Sequence, residues 1–126
     1  MKGNLMNIYI FANEKELIGN PYLADSKESA QEMLKEVIDG RLKIVDSNIE
    51  NINENIKSYK EAIEEFNADK EKGEVDSDEI GGINFIEFQE GLITEAEEKI
   101  KEQELSRKAL TVNVEDLTCF VISEKA

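Results

Sequence analysis

The side chains in this chain that can do chemistry are almost all carboxylates. There are 29 Asp and Glu against 15 Lys and Arg, no histidine, no tryptophan and one cysteine. Without an imidazole base, the serine and cysteine nucleophile systems that depend on one cannot be built, nor can Glu-x-x-His di-metal bundles. One cysteine forms no intrachain disulfide and cannot complete the Cys and His sets of tetrahedral zinc. Cys119 sits in the apolar run Cys119-Phe120-Val121-Ile122 and reads as a small buried hydrophobe. Neighbouring acids such as Glu64-Glu65 and Glu97-Glu98 would need a pocket that drives their pKa values apart before they could act as an acid–base pair. They fall on helix faces expected to be solvated. An enzyme is therefore the least expected class, and no residue is assigned a catalytic role.

Carboxylates can also bind. Residues 61–79 hold Glu61, Glu64, Glu65, Asp69, Glu71, Glu74, Asp76, Asp78 and Glu79 against Lys70 and Lys72, which is half of the formal net charge of −14. Such a field steers a cationic partner and makes the association salt-sensitive. The plainer reading is a solvated loop that keeps the chain soluble. Within and beside this stretch, Asp76, Asp78, Asn84 and Glu87 are spaced as oxygen ligands for a hard cation. The segment 76–87 resembles an EF-hand loop, with acids at loop positions 1 and 3, Gly81 at 6, Ile83 at 8, Asn84 at 9 and Glu87 at 12. Ile80 stands at position 5, where an oxygen ligand belongs, and Gly73 makes a poor incoming helix. Calcium is thus the one cofactor raised, as a lesser alternative to a loop that caps the helix beginning near Asn84. Arg41 and Arg107 are the only arginines. They are candidate grips for a phosphate or carboxylate ligand, or ordinary ion-pair formers. Tyr9, Tyr22 and Tyr59 are candidate contact residues. No glycine-rich phosphate loop is present.

The charge balance excludes partners as well. A protein that tracks nucleic-acid phosphates, or an anionic membrane surface, must supply Lys and Arg in excess. Basic protein surfaces remain. No apolar stretch approaches the ~20 residues of a membrane span, and the N-terminus lacks a secretory pattern, so a cytoplasmic protein is expected.

These residues must be positioned by elements, and the apolar spacing names them. Residues 1–5 read as a ragged leader. Residues 7–11 are a β-rich run. Residues 17–23 form a second, interrupted strand that Gly19 and Pro21 confine to an edge or a bulge. Asp25 and Glu28 form a capping-box pair that opens a helix over 26–39 with Ala30, Met33, Leu34, Val37 and Ile38 on one face, and Gly40 is the expected stop. Leu42, Val45, Ile49, Ile52, Ile56, Tyr59, Ile63 and Phe66 then alternate spacings of 3 and 4, the seam of a coiled coil. The start of that helix is open, since Ser47 and Glu50 also make a capping box and 41–45 could be a strand. Residues 69–82 break the pattern. A helix resumes near Asn84 with Ile86, Ile93, Ala96 and Ile100, widened by Phe85, Phe88 and Leu92, and its seam weakens at Gln103 and Arg107. Leu110 to Val114 and Leu117 to Ile122 read as a β-hairpin.

The expected fold is a single α+β domain. Residues 1–40 and 109–126 form a base with a small antiparallel sheet and one amphipathic helix. Residues 41–108 form a projecting antiparallel coiled-coil hairpin with an acidic loop at 69–83. So small a sheet is marginal alone, and a homodimer through the sheet or into a four-helix arrangement is expected. The functional expectation is a non-enzymatic acidic binding protein that occupies a basic surface. In size, charge and lack of catalytic residues it resembles the small acidic proteins that phages use against bacterial defence systems, such as anti-CRISPRs. That resemblance implies a stoichiometric inhibitor acting through residues 61–79. The alternatives are a binder or sponge for a small nucleotide signal at a dimer interface, using Arg41 and Arg107, and calcium binding by loop 76–87.

Overall fold

The structure is a computed structural model that describes residues 6–14 and 16–123. The leader expected at 1–5 lies outside the described residues. The fold is α+β: two helices, a three-stranded antiparallel sheet and a small two-stranded one. The chain divides into two compact units, one formed by 1–43 and 108–126 and the other by 44–107.

The first unit is built on strand β1 (Asn7–Asn13), the centre of the sheet, flanked by β2 (Glu16–Ala24) and by a C-terminal strand (Thr118–Ser123). β1 alternates, so Tyr9 and Phe11 point to one face and are buried. The interruption expected in β2 is a register shift opposite Ile10: Tyr9 pairs with Tyr22, but Phe11 pairs with Ile18. Helix α1 (Lys27–Glu71) begins over this sheet. Its cap is one residue later than the expected box. The Ser26 hydroxyl accepts the Ser29 amide at 3.1 Å, and Asp25 accepts the Ser29 hydroxyl. Ala30, Leu34 and Ile38 are buried against Tyr9, Phe11 and Ala24, while Val37 is half-buried and Met33 faces water.

Gly40 does not stop the helix. It lies inside the 45 residues of α1, without the positive φ of a helix-ending glycine. Leu34, Ile38, Leu42 and Val45 keep the 4, 4, 3 spacing of one stripe through it. Ser47 is accordingly helix interior, and no strand forms at 41–45. An interior glycine costs about 0.8–1 kcal/mol relative to alanine, and a Cβ at Gly40 meets nothing within 4 Å. Gly40→Ala is therefore expected to stabilise the chain by about 0.5–1 kcal/mol, read as a rise in the denaturation midpoint at unchanged m-value.

The expected C-terminal hairpin is also corrected. Helix α2 (Phe85–Leu110) runs through Leu110, and Val114–Asp116 is a 3-10 turn. The last strand, β5, pairs with β1 and not with 110–114; it takes its number after a two-residue pair, β3 (Glu79–Ile80) and β4 (Ile83–Asn84). Leu110, Val112 and Val114 alternate because each packs on the core, Leu110 from the last residue of α2, Val112 from the irregular link and Val114 from the 3-10 turn, not because they form a ladder. Asn113 caps the turn by accepting the Glu115 amide at 3.2 Å. Lys35 ties it to α1 through Glu115 at 2.6 Å. The Lys35 hydrogen bond holds the Glu115 carboxyl below its usual range, and the same bond raises Lys35. Glu115 thus adds stability above its unfolded pKa that is lost as pH falls through the folded one, while Lys35 adds stability that is lost as pH rises through its own. Both ends are exposed, so the contribution is small.

In the second unit, seven of the eight positions of the 3–4 stripe on α1 are withdrawn from water. Val45 and Phe66 are buried; Ile49, Ile52, Ile56, Tyr59 and Ile63 are half-buried, and Leu42 continues the stripe in the first unit. On α2, Ala96 is buried and Ile93, Ile100, Gln103 and Arg107 are half-buried. Contacts between the two helices include Arg107 to the Asp46 carboxylate, Asn48 to Gln103 at 3.3 Å, and Phe66 stacked on Phe85 at 4.7 Å. From Asp46 to Phe66 along α1, these partners run from Arg107 back to Phe85 along α2.

Candidate functional site

The acidic stretch maps to the end of the second unit where the chain passes from α1 to α2. Helix α1 closes there on a Schellman motif. The Glu74 amide bonds the Asp69 carbonyl at 2.9 Å, and the Gly73 amide bonds the Lys70 carbonyl at 3.1 Å. Gly73 holds the left-handed conformation this motif demands, at φ +77°. Closing the helix here leaves residues 74–78 as a short irregular run. Strands β3 and β4 then form a two-residue hairpin turned by Gly81 and Gly82, both at positive φ. Asn84 caps α2 by accepting the Glu87 amide at 3.0 Å. The Phe66–Phe85 stack sits at the base of the tip, and Phe66 is 6 % exposed.

Eight of the nine acids in 61–79 are exposed: Glu61, Glu64, Glu65, Glu71, Glu74, Asp76, Asp78 and Glu79; Asp69 is half-buried. Asp78 is ion-paired to Lys70, which also places a cation in the last turn of α1, where the helix dipole favours one. Sequence reasoning missed the apolar members of the tip. Ile80 and Ile83 pair across the hairpin and stand 53 % and 56 % exposed. Phe88, expected to widen the seam, is 53 % exposed instead. The signal was present: Ile-Gly-Gly-Ile is a two-residue hairpin signature that presents its flanking side chains together.

Two of the four residues proposed as calcium ligands have other uses. Asn84 caps α2, Asp78 binds Lys70, and the loop that would wrap a cation is partly a β-hairpin. Among the described residues, no three His, Cys, Asp or Glu side chains gather as a metal group.

The two arginines fall in different units. Arg41 lines a cleft of about 270 Å³ in the first unit with Asn13, Glu16, Leu17, Ile18 and Leu110. That volume is just under the roughly 300–1,000 Å³ of small-molecule sites, and Glu16 shares the lining. Arg107, in the second unit, is half-buried and bound to Asp46. Of the tyrosines, Tyr9 is core, and Tyr22 and Tyr59 are half-buried. Cys119 is a free, half-buried thiol opposite Phe11 and packed against the core. Among the described residues, no helix is long and apolar enough to cross a membrane. No protein-family model, no curated protein and no solved structure matches this chain.

Proposed function

We propose that this chain is a non-enzymatic binding protein that docks on a basic protein surface through the tip of its second unit. The observation that carries the reading is the pairing of two kinds of exposed group at that tip. Eight carboxylates of residues 61–79 lie open to water, and the side chains of Ile80, Ile83 and Phe88, which follow them in the chain, are exposed as well. A purely solubilising loop has no use for three large apolar side chains held in water. A docking surface has, because charge steers the encounter and desolvated apolar anchors hold the complex. The Schellman closure, the two-glycine turn and the Asn84 cap fix the tip in one shape, which lowers the ordering cost of binding.

The two helices behind the tip are read as an antiparallel coiled-coil hairpin. The support is the match between the 3–4 seam on α1 and the residues withdrawn from water, together with the antiparallel order of the named helix–helix contacts. Such a hairpin carries the acidic residues at its closed end, as a stoichiometric inhibitor or adaptor would need.

The test is capture from a bacterial lysate at low and high salt, using the wild-type chain and a variant carrying Glu64→Lys, Glu65→Lys and Asp76→Lys. These three positions avoid the Lys70–Asp78 pair. Wild-type capture is expected at low salt and lost near 1 M salt, where the Debye length is about 3 Å. The charge-reversed variant is expected to bind the same protein at least tenfold more weakly at every salt concentration. Equal capture by the variant would remove the tip as the docking surface.

A further inference from the structure

The three-stranded sheet is apolar on both faces. Residues opposite one another in a ladder share a face. Tyr9, Phe11, Tyr22, Ile18 and Cys119 therefore share the face covered by α1. The other face takes Leu23, Ile8 and Ile122 in one row, Ile10 and Phe120 in the next, and Leu17, Ala12 and Thr118 in the third. Seven of these eight side chains are apolar and none is charged, in a chain whose residues are 35 % charged. None of the seven belongs to the core cluster or packs against it. Leu17 is 66 % exposed, Phe120 54 %, Ile122 52 % and Leu23 49 %. An antiparallel sheet with one wet face alternates apolar and polar residues. This one carries the pattern of a sheet covered on both sides.

We infer that the outer face of the sheet is the interface between two copies of this chain, stacked sheet on sheet about a twofold axis. The charge distribution selects the occupant. Two copies, each at −14, repel wherever their acids meet, and none of the eight paired positions of this face is an acid; Glu14 and Glu16 stand only at its rim, beside Ala12, Leu17 and Thr118. A basic partner is drawn to the carboxylates of the second unit and gains nothing electrostatically from an uncharged sheet. An apolar sheet face can seat its own copy, since two such faces interdigitate about 10 Å apart with strand directions some 30° askew. The contact is isologous and closes at two chains.

Analytical ultracentrifugation of the full chain tests this, with two substitutions on the same strand that differ only in face. Phe120→Asp places a carboxylate on the outer face, and Val121→Asp places one on the α1 side, where Val121 is already 51 % exposed. The wild type and Val121→Asp are expected to sediment as dimers at micromolar concentration. Phe120→Asp is expected to sediment as a monomer, with dimerisation at least a hundredfold weaker, because an unpaired carboxylate would be buried. Leu17→Asp, on the far strand, is expected to do the same, and far-UV circular dichroism confirms that each variant is folded. High salt is expected to leave the dimer intact, opposite to its effect on tip docking, so the two proposals fail separately. A monomeric wild type overturns the inference and leaves the face to a different protein. Loss of the dimer in both Phe120→Asp and Val121→Asp overturns it in favour of edge pairing through β5.

Discussion

Phe11→Ala is expected to destabilise the chain by about 3–5 kcal/mol, the range for truncating a buried phenylalanine. Phe11 is 0 % exposed at the centre of the middle strand. Its ring lies 6.5 Å from that of Tyr22 at 52°, a tilted pair, and it belongs to the same cluster as Leu34 of α1. Removing the ring leaves a cavity between sheet and helix that neither rigid element can close. The surrounding core is small, with eight buried residues in its cluster, so little redundancy exists to absorb the loss. Small domains hold about 5–15 kcal/mol in total, and the variant gives up a large fraction of that. Urea denaturation followed by circular dichroism should show the midpoint fall at unchanged m-value. A loss under 1 kcal/mol would mean that Phe11 is not packed as described.

Gly19→Ala is expected to be nearly as damaging, although it adds only one carbon. Gly19 adopts φ +73°, and a Cβ built there would lie 2.8 Å from the Leu34 Cδ1 and 3.0 Å from the Tyr22 hydroxyl. The left-handed conformation costs an alanine about 1–2 kcal/mol, and forcing a methyl into a packed site adds about 1–3 kcal/mol. Leu34 is fully buried and cannot swing aside, and the Tyr22 hydroxyl is itself buried. The expected loss is about 2–5 kcal/mol, measured by the same denaturation curves. Gly40→Ala is the built-in contrast: the same substitution in open space inside a helix raises stability. If both variants moved the midpoint in the same direction, steric contact would not be what distinguishes the two glycines.

The three residues also show what could be read locally. The strand at 7–11 was readable because Ile8, Tyr9, Ile10 and Phe11 are an unbroken run of β-favouring residues, and residue type is a local property. The helix from Leu42 to Phe66 was readable because spacings of 3 and 4 hold over eight positions. Gly19 could be placed at a bulge from Pro21 beside it, but the contact with Leu34 could not, since it joins a strand to a helix. Gly40 misled because glycine both ends helices and is tolerated within them. The outcome depended on a stripe that stays in phase from Leu34 to Val45, and on what each part of it packs against. The hairpin expected at 110–122 failed for the same kind of reason. Alternation at Leu110, Val112 and Val114 marks one-sided packing, and packing on the core without a ladder gives the same signal as a strand.

The candidate site divides in the same way. Charge is additive along the chain, so half of the −14 could be assigned to 61–79 from composition alone, and the absence of histidine excludes imidazole chemistry whatever the fold. Which apolar side chains stay in water is decided by what covers them, and that is a tertiary property. Ile80, Ile83 and Phe88 look like core in the sequence and stand in solvent at the tip. Leu17, Leu23, Phe120 and Ile122 look like strand core and line an uncovered sheet face. Residue type and spacing set the elements and the charge; only the pairing of β1 with both β2 and β5, and the side on which α1 packs, determined which apolar faces were left open, because burial depends on contacts between residues far apart in the chain.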